Sequence, residues 1–164
     1  MSKIEARIEE LGITLPEASA PVGNYVGAKV VGNMVYLSGN GPLGNADSAF
    51  KGKVGSDFSL KEGYAAARST MINLLGTLKG AIGDLDRVET IVKLLGFVAS
   101  APGFYDQPKV INGASDLLVE VFGDAGRHAR SAIPVPQLPM NLAVGIEMIV
   151  KLKEILKELE IEGE

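Results

Sequence analysis

The sequence predicts an α+β domain with one mixed β-sheet that carries two long helices on one face. Apolar stretches of strand type and helix type follow one another in the order hairpin, helix, strand, helix, strand, strand. Elements in this order pack as a sheet with its helices on one side. No third long helix is predicted for the other face, and large uncovered apolar faces usually mark interfaces. We therefore expect the subunits to associate with one another.

Length and composition fit a single domain over residues 1–164, extended by a short N-terminal helix at 2–12 and a C-terminal tail at 151–164. Hydrophobic residues make up 46% of the chain and charged residues 22%, which is typical of a soluble domain with its own core. No stretch approaches the roughly 20 apolar residues that span a bilayer, and the N-terminus lacks the apolar segment of a signal peptide. We expect a cytoplasmic protein.

Residue usage and charge exclude several classes of function. The chain has no Cys and one His, which excludes disulfides, thiolate chemistry and a metal site built on Cys or on several His. We expect neither a metal nor another cofactor. The net charge of −4 and the pI near 5.1 argue against a surface that binds nucleic acid.

The N-terminal part of the chain predicts a short helix followed by a hairpin. Ser2 and Glu5 fit a capping box, apolar residues follow at helical spacing, and Gly12 stops the helix. Farther on, Lys29–Val31 and Met34–Ser38 are apolar runs on either side of Gly-Asn, the pattern of a hairpin with a two-residue turn. The nearly continuous apolar content of the second run indicates a central strand.

The loop after this strand, Gly39–Gly44, matches the glycine pattern of dinucleotide-binding sites. That chemistry needs a helix to begin at the last glycines, so that its N-terminus faces a pyrophosphate. Pro42 and the polar residues 45–48 begin no helical period, and the acidic residue expected about 20 positions on is missing. We therefore interpret the glycines as a tight strand exit, where Ser38 and Gly39 offer a hydroxyl and an unobstructed N–H.

Two long helices and a long strand follow. The first helix has a capping box at Ser59–Glu62 and extends to Ile82. The strand is predicted over Val88–Val98, and the second helix over Pro108–Phe122. Asn112 lies near the start of that second helix, either as a solvated residue or as a polar group that orients a ligand.

The C-terminal part predicts two strands and holds the candidate anchor of the site. Arg130 begins a strand within Arg127–Pro139, and a second strand follows over Leu142–Val150. A guanidinium in this place either pairs with an acid of the protein or binds an anionic ligand, and its planar fork suits a carboxylate. His128 is interpreted first as a residue that opens the strand and second as a general base.

Simpler interpretations apply elsewhere. Asp84 and Asp86 are expected to be solvated acids beside a turn, and Tyr25 is typical of a half-buried tyrosine. The tail 151–164 predicts a short amphipathic helix that packs on the body of the domain or on a neighbouring subunit.

Several of these pieces resemble the Rid/YjgF family, named for reactive-intermediate imine deaminases, over about residues 21–150. The matching pieces, in chain order, are Val22–Val26, Leu37–Gly39, Val110–Asn112 and Arg130–Ile133 running to Leu138–Pro139. The most specific of them is an Arg eight residues before Leu-Pro, followed by a terminal strand. The N-terminal helix and residues 107–119 resemble a longer, mostly uncharacterised branch of the family.

The resemblance implies a chorismate-mutase-like α+β fold and a homotrimer, with helices outside and three ligand clefts between subunits. It implies that an arginine binds the carboxylate of the substrate in such a cleft. Carried over residue by residue, the catalytic positions are Arg130 and Tyr25, and the substrate-binding positions are Ser38, Gly39, Asn112, Arg130 and Ala132.

Two positions depart from the pattern of the deaminases. Ala132 stands where those proteins commonly have Cys. Gly145, six residues after Pro139, stands where they carry a Glu thought to position the attacking water, and the nearest acid is Glu147. The residues that the resemblance assigns to carboxylate binding are thus retained, whereas the Glu that it assigns to hydrolysis is not.

The resemblance implies hydrolysis of reactive 2-imino or enamino acids to 2-oxo acids, with release of ammonia. The glycine at 145 favours an alternative, a non-catalytic trimeric binding protein for small carboxylate metabolites. A third function, that of an endoribonuclease, is assigned to some relatives. The acidic pI and the lack of a basic stripe argue against it.

Overall fold

The computed structural model describes residues 2–44 and 50–154. Its elements are α1 (Lys3–Glu10), β1 (Ala28–Val31), β2 (Met34–Asn40), α2 (Leu60–Ile82), β3 (Val88–Ala99), α3 (Gln107–Phe122), β4 (Ala129–Val135) and β5 (Val144–Leu152), with 3-10 turns at Leu85–Arg87, Gly123–Gly126 and Pro139–Asn141. The strands form a sheet in the order β1-β2-β5-β3-β4. Since β3 and β4 are parallel and the other neighbours are antiparallel, the prediction of a mixed sheet is confirmed.

The two long helices begin and end close to the predicted residues. In α2 the Glu62 N–H donates to Ser59 Oγ (3.2 Å) and the Ser59 N–H donates to Glu62 Oε2 (2.7 Å), which completes the predicted capping box. Gly83 then ends α2 with a φ of 80°. Pro108 lies in the first turn of α3, and Gly123 ends that helix with a φ of 61°. Glycine at these ends avoids the strain that a side chain has in the left-handed region.

Both long helices pack on one face of the sheet, as predicted, and the core lies between them and the strands. The most completely buried core side chains come from both layers and include Leu74, Leu78, Leu94, Ile111, Leu117, Ile146 and Met148, none of which is more than 1% exposed. Among the described residues no helix covers the opposite face. Tyr36 on that face is 46% exposed. We call this the open face; by the strand register it also carries Leu95, Phe97 and Ile149.

Asp86 was wrongly predicted to be a solvated loop acid. Its carboxylate accepts the backbone N–H groups of Lys3 (2.9 Å) and Ile4 (2.8 Å) and so caps α1. These two hydrogen bonds, that of Ile4 first, hold the pKa of Asp86 below its ordinary value. Asp84 is also engaged, since its carboxylate accepts the Asp86 N–H at 2.8 Å.

The C-terminal tail was predicted to begin its helix at Lys151, and that boundary is wrong. Lys151 and Leu152 belong to β5, where Lys151 pairs with both Met34 and Thr90 across the neighbouring strands. The remainder of the predicted helix, from residue 155 on, lies outside the described residues. The loop Gly41–Gly44 contains no helix start, and residues 45–48, which were predicted to begin no helical period, lie outside the described residues.

The helices α2 and α3 lie close together at Gly113. A Cβ atom added there would overlap the Tyr64 backbone carbonyl and lie 3.1 Å from the Arg68 backbone nitrogen. Because these neighbours are backbone atoms of α2, they cannot move aside without separating the two helices. Gly113 therefore sets the distance at which α3 lies against α2.

We expect Gly113→Ala to destabilise the protein by about 2 kcal/mol, within the usual range for overpacking. Gly80→Ala is the matched control, because Gly80 is an exposed residue of α2 whose added Cβ would lie 3.0 Å from the methyl group of Ala18 in a loop. That substitution gains helix propensity and should be neutral or stabilising. Urea unfolding followed by circular dichroism measures both. Equal stability of Gly113→Ala and the wild type would contradict this packing argument.

Candidate functional site

Arg130 lies on β4, an edge strand of the sheet, and its side chain is on the helix-covered face. In the parallel pairing of β3 with β4 it stands beside Leu94, which is fully buried under the helices. Its Nη1 donates to Asn112 Oδ1 (2.8 Å) and to Ser115 Oγ (3.1 Å), both on α3. No carboxylate of the described residues forms an ion pair with it. The sequence left open two roles for Arg130, an ion pair with an acid of the protein and binding of an anionic ligand. The described residues do not show the ion pair.

Asn112 and Ser115 are one helical turn apart, so α3 presents both to the same guanidinium. Asn112 is half-buried and hydrogen-bonded to Arg130, and the interpretation as a solvated helix residue does not hold. Ser115 was not among the predicted site residues. Its spacing of three from Asn112 was the available signal, but one serine on a helix has no distinctive pattern.

His128 completes a hydrogen-bonded chain that ends on Arg130. Its Nδ1 lies 2.7 Å from the carbonyl oxygen of Gly126, and its Nε2 lies 2.9 Å from Ser115 Oγ. A carbonyl oxygen only accepts, so Nδ1 carries the proton and Nε2 of the neutral ring accepts the Ser115 hydroxyl. Burial lowers the pKa of the imidazole below its ordinary value of 6.5, the positive charge of Arg130 adds to this, and the hydrogen bond to Gly126 opposes it.

A second group of predicted residues gathers at the end of β2. The hydroxyl of Ser38 donates to the carbonyl of Val26 at 2.7 Å, which holds the segment that carries Tyr25 against the strand. Tyr25 is 52% exposed, and Gly39 has open space around the position of an added Cβ. Gly145 on β5 belongs to the same group, since a Cβ there would lie 3.9 Å from the carbonyl oxygen of Asn40.

The two groups do not meet within one chain. In the sheet, β5 and β3 lie between β2 and β4. Three strand spacings separate the residues at the end of β2 from Arg130, a distance of about 14 Å. Ala132 lies with Arg130, two residues along β4 on the same face, where it pairs with Gly96.

Glu147 and Gly145 share the open face, as predicted from their spacing of two. Gly145 pairs with Phe97 and Glu147 with Leu95. Glu147 lines a shallow depression of about 180 Å³, together with Tyr36, Lys93 and Ile149. The open face is opposite the one that holds Arg130, so Glu147 cannot reach the guanidinium of its own chain.

In the part of the chain that the structure describes, no group of three or more His, Asp or Glu residues is arranged to hold a metal ion. None of the helices described there has the length and apolar content needed to cross a bilayer.

Comparison with known proteins identifies relatives over nearly the whole chain. The profile of the family described as "YjgF/chorismate mutase-like, putative endoribonuclease" matches residues 5–152. Protein TCP17 of Trypanosoma cruzi is 42% identical over 151 residues, which cover 92% of this chain and 94% of TCP17.

Two crystal structures have a closely similar fold. The protein Atu1372 of Agrobacterium tumefaciens is 43% identical, with a TM-score of 0.85 and 92% of each chain covered. The "putative endoribonuclease" of Shewanella oneidensis MR-1 is 36% identical, with a TM-score of 0.87, and the match covers 91% of this chain and 99% of that one.

Proposed function

The chain belongs to the YjgF/chorismate mutase-like (Rid) family, and on that premise we propose that it hydrolyses 2-imino acids to 2-oxo acids with release of ammonia. The observation that carries the proposal is the guanidinium of Arg130. Its Nη1 is held by two neutral acceptors, while Nε and Nη2 have no acceptor among the described residues. The edge formed by these two nitrogens fits a carboxylate through two parallel hydrogen bonds.

In the proposed reaction, a 2-imino acid such as 2-iminopropionate docks by its carboxylate on Arg130. Water adds to the imine carbon, the C–N bond of the resulting carbinolamine breaks, and ammonia leaves the 2-oxo acid. Because imines hydrolyse in water without a catalyst, orientation beside a fixed positive charge gives a useful acceleration.

We propose further that the ligand cleft forms between the subunits of a homotrimer. Two observations support this assembly. The residues at the end of β2 lie about 14 Å from Arg130 of the same chain, so a neighbouring copy is needed to bring such a group to the guanidinium. The open face also carries apolar side chains such as Tyr36 that association would bury.

A second function is a non-catalytic binding protein for small carboxylates. This function is favoured by Gly145, because a glycine supplies no carboxylate beside Ser38 and Gly39. Glu147 faces the same side of the sheet as Gly145 but is displaced by two residues, about 6.5–7 Å along the strand. A water must lie within about 2.6–3.2 Å of the group that activates it, so Glu147 is a poor substitute.

We expect the protein to sediment as a trimer at micromolar concentration, and Tyr36→Glu to dissociate it by placing charge on the open face. Ala65→Glu is the matched control, because Ala65 is exposed on α2, away from that face. Sedimentation equilibrium gives the mass of each variant. A wild-type monomer would contradict the trimer and, with it, the cleft between subunits.

We expect Arg130→Lys to weaken binding of pyruvate at least tenfold, about 1.4 kcal/mol, with little change in melting temperature. Lysine keeps the charge but lacks the planar fork. Arg127→Lys is the control, since Arg127 is an exposed residue that pairs with Asp124. Isothermal titration calorimetry measures the affinities. Should pyruvate fail to bind the wild type while Arg130→Ala unfolds the protein, Arg130 is structural.

We expect the wild type to hydrolyse 2-iminopropionate slowly, and Gly145→Glu to raise the rate by up to about 10²-fold, the low end for a positioned acid or base. The structure has room for the change, since an added Cβ would lie no closer than 3.7 Å to Leu138. Glu147→Gln should have little effect. Ammonia release is the measurement, with RNA cleavage assayed in parallel. A fast wild type that Glu147→Gln inactivates would assign the positioning of water to Glu147.

A further inference from the structure

We infer that a carboxylate binds at Arg130 together with a proton from the solvent, which His128 takes up. The inference rests on the proposed function, because it requires the carboxylate of the ligand on the guanidinium. It adds a regulation of that same site, since the protonation state of His128 then sets how tightly the ligand is held. His128 acts through Arg130 and does not contact the ligand.

The side chains of His128 and Arg130 are joined through one oxygen atom. Ser115 Oγ lies 2.9 Å from Nε2 of the imidazole and accepts from Nη1 of the guanidinium at 3.1 Å. These two distances place Nε2 and Nη1 at most about 6 Å apart, where two charges in a partly buried site interact. Both residues are half-buried, which limits screening of this interaction by salt but leaves the imidazole in reach of solvent protons.

The hydroxyl of Ser115 allows His128 to gain a proton without releasing Arg130. In the neutral ring, Nδ1–H donates to the Gly126 carbonyl at 2.7 Å and Nε2 accepts the serine proton. After protonation, Nε2–H donates to one lone pair of Ser115 Oγ while Arg130 Nη1 still donates to the other. The serine proton then rotates away from the ring, because a hydroxyl has one proton and two lone pairs. The bond that orients the guanidinium is therefore kept in both states.

The charge of Arg130 opposes the protonation of His128. Burial lowers the pKa of His128 below its ordinary value of 6.5, the hydrogen bond to Gly126 opposes this, and the positive charge of Arg130 lowers the pKa further. A carboxylate on the Nε–Nη2 edge neutralises that charge from the side of the guanidinium opposite Nη1. Binding should therefore raise the pKa of His128, although ligand and imidazole do not touch.

The other charged groups on the elements packed around His128 have partners of their own. These pairs are Asp116 with the Tyr64 hydroxyl at 2.7 Å, Glu120 with Arg68 at 3.0 Å, Asp124 with Arg127 at 3.4 Å and Lys93 with the Ser131 hydroxyl at 3.3 Å. Among the described residues, Arg130 is thus the charged group that acts on the imidazole.

The sign of the pH dependence follows from linkage. A pKa that rises on binding means that the complex holds the proton more tightly than the free protein does. The gain in affinity is then complete below the pKa of free His128 and is lost as the pH rises through the pKa of the complex. An imidazolium and a carboxylate about 8–10 Å apart in a partly exposed site attract each other by an amount equivalent to about threefold to tenfold in affinity.

The test follows the His128 ring by ¹H–¹⁵N NMR as a function of pH, with and without saturating pyruvate. His128 is the only histidine of the chain, so its ring signals are identified directly. Pyruvate should raise its pKa, and calorimetry should show pyruvate affinity increasing about threefold to tenfold as the pH is lowered through that pKa. In His128→Gln the affinity, whatever its value, should not change over the same pH range.

Two arginine variants test whether the charge of Arg130 carries the coupling. Arg130→Gln removes the cation, so the pKa of His128 should rise in the protein without pyruvate, and pyruvate should no longer change it. Arg127→Gln is the matched control, because Arg127 is next to His128 in sequence but is exposed and pairs with Asp124. It should leave the pKa of His128 unchanged.

The remaining outcomes separate the inference from the proposed function. A wild-type titration in which saturating pyruvate leaves the pKa of His128 unchanged, or lowers it, would overturn the inference, and this measurement needs no variant to fold. Binding of pyruvate that Arg130→Lys weakens would then still support the carboxylate site. A wild type that binds no pyruvate at any pH would reject both.

Discussion

The parallel pairing of β3 with β4 determines where the arginine of the site points. Two parallel strands need a long crossover connection, and here α3 forms that crossover and returns over the sheet. Arg130 stands beside Leu94 in this pairing, so its side chain shares the face that α3 covers. A register shift by one residue would turn Arg130 to the open face and separate it from Asn112. The burial of the β3 side chains and the position of the guanidinium are therefore fixed by the same constraint.

The partners of Arg130 determine how much of its charge is neutralised within the chain. A buried guanidinium with a carboxylate partner is neutralised within the protein and has little attraction left for an anion. Asn112 and Ser115 supply acceptors without negative charge, which orient the group but leave its charge uncompensated among the described residues. This uncompensated charge is the basis of the proposed binding of an anionic ligand. The same arrangement polarises Ser115, since its oxygen accepts from a cation while its proton is directed to an imidazole.

Local patterns made the elements predictable, whereas long-range contacts did not follow from them. The capping box at Ser59–Glu62 and the glycine at 83 gave both ends of α2 because each signal lies within a few residues of its effect. Asp86 looked like a solvated acid because the N–H groups it caps are 82 and 83 residues away. Ser115 was missed for the same reason, since its partners Arg130 and His128 come from β4 and the segment before it. Lys151 was not predicted to belong to a strand, because the alternating charges that follow it are typical of an amphipathic helix.

The sheet explains why Arg130 and the residues at the end of β2 are separate in one chain. Arg130 occupies the helix-covered face of an edge strand, and Gly145 occupies the open face two strands away. No rotation of a side chain brings a group at 145 to the guanidinium of the same subunit. Asn112 and Ser115 of α3, in contrast, contact Arg130 from within the same chain. A group at position 145 can therefore act beside Arg130 only if it comes from a second copy of the chain, whereas the hydrogen bonds that orient the guanidinium are built into each chain.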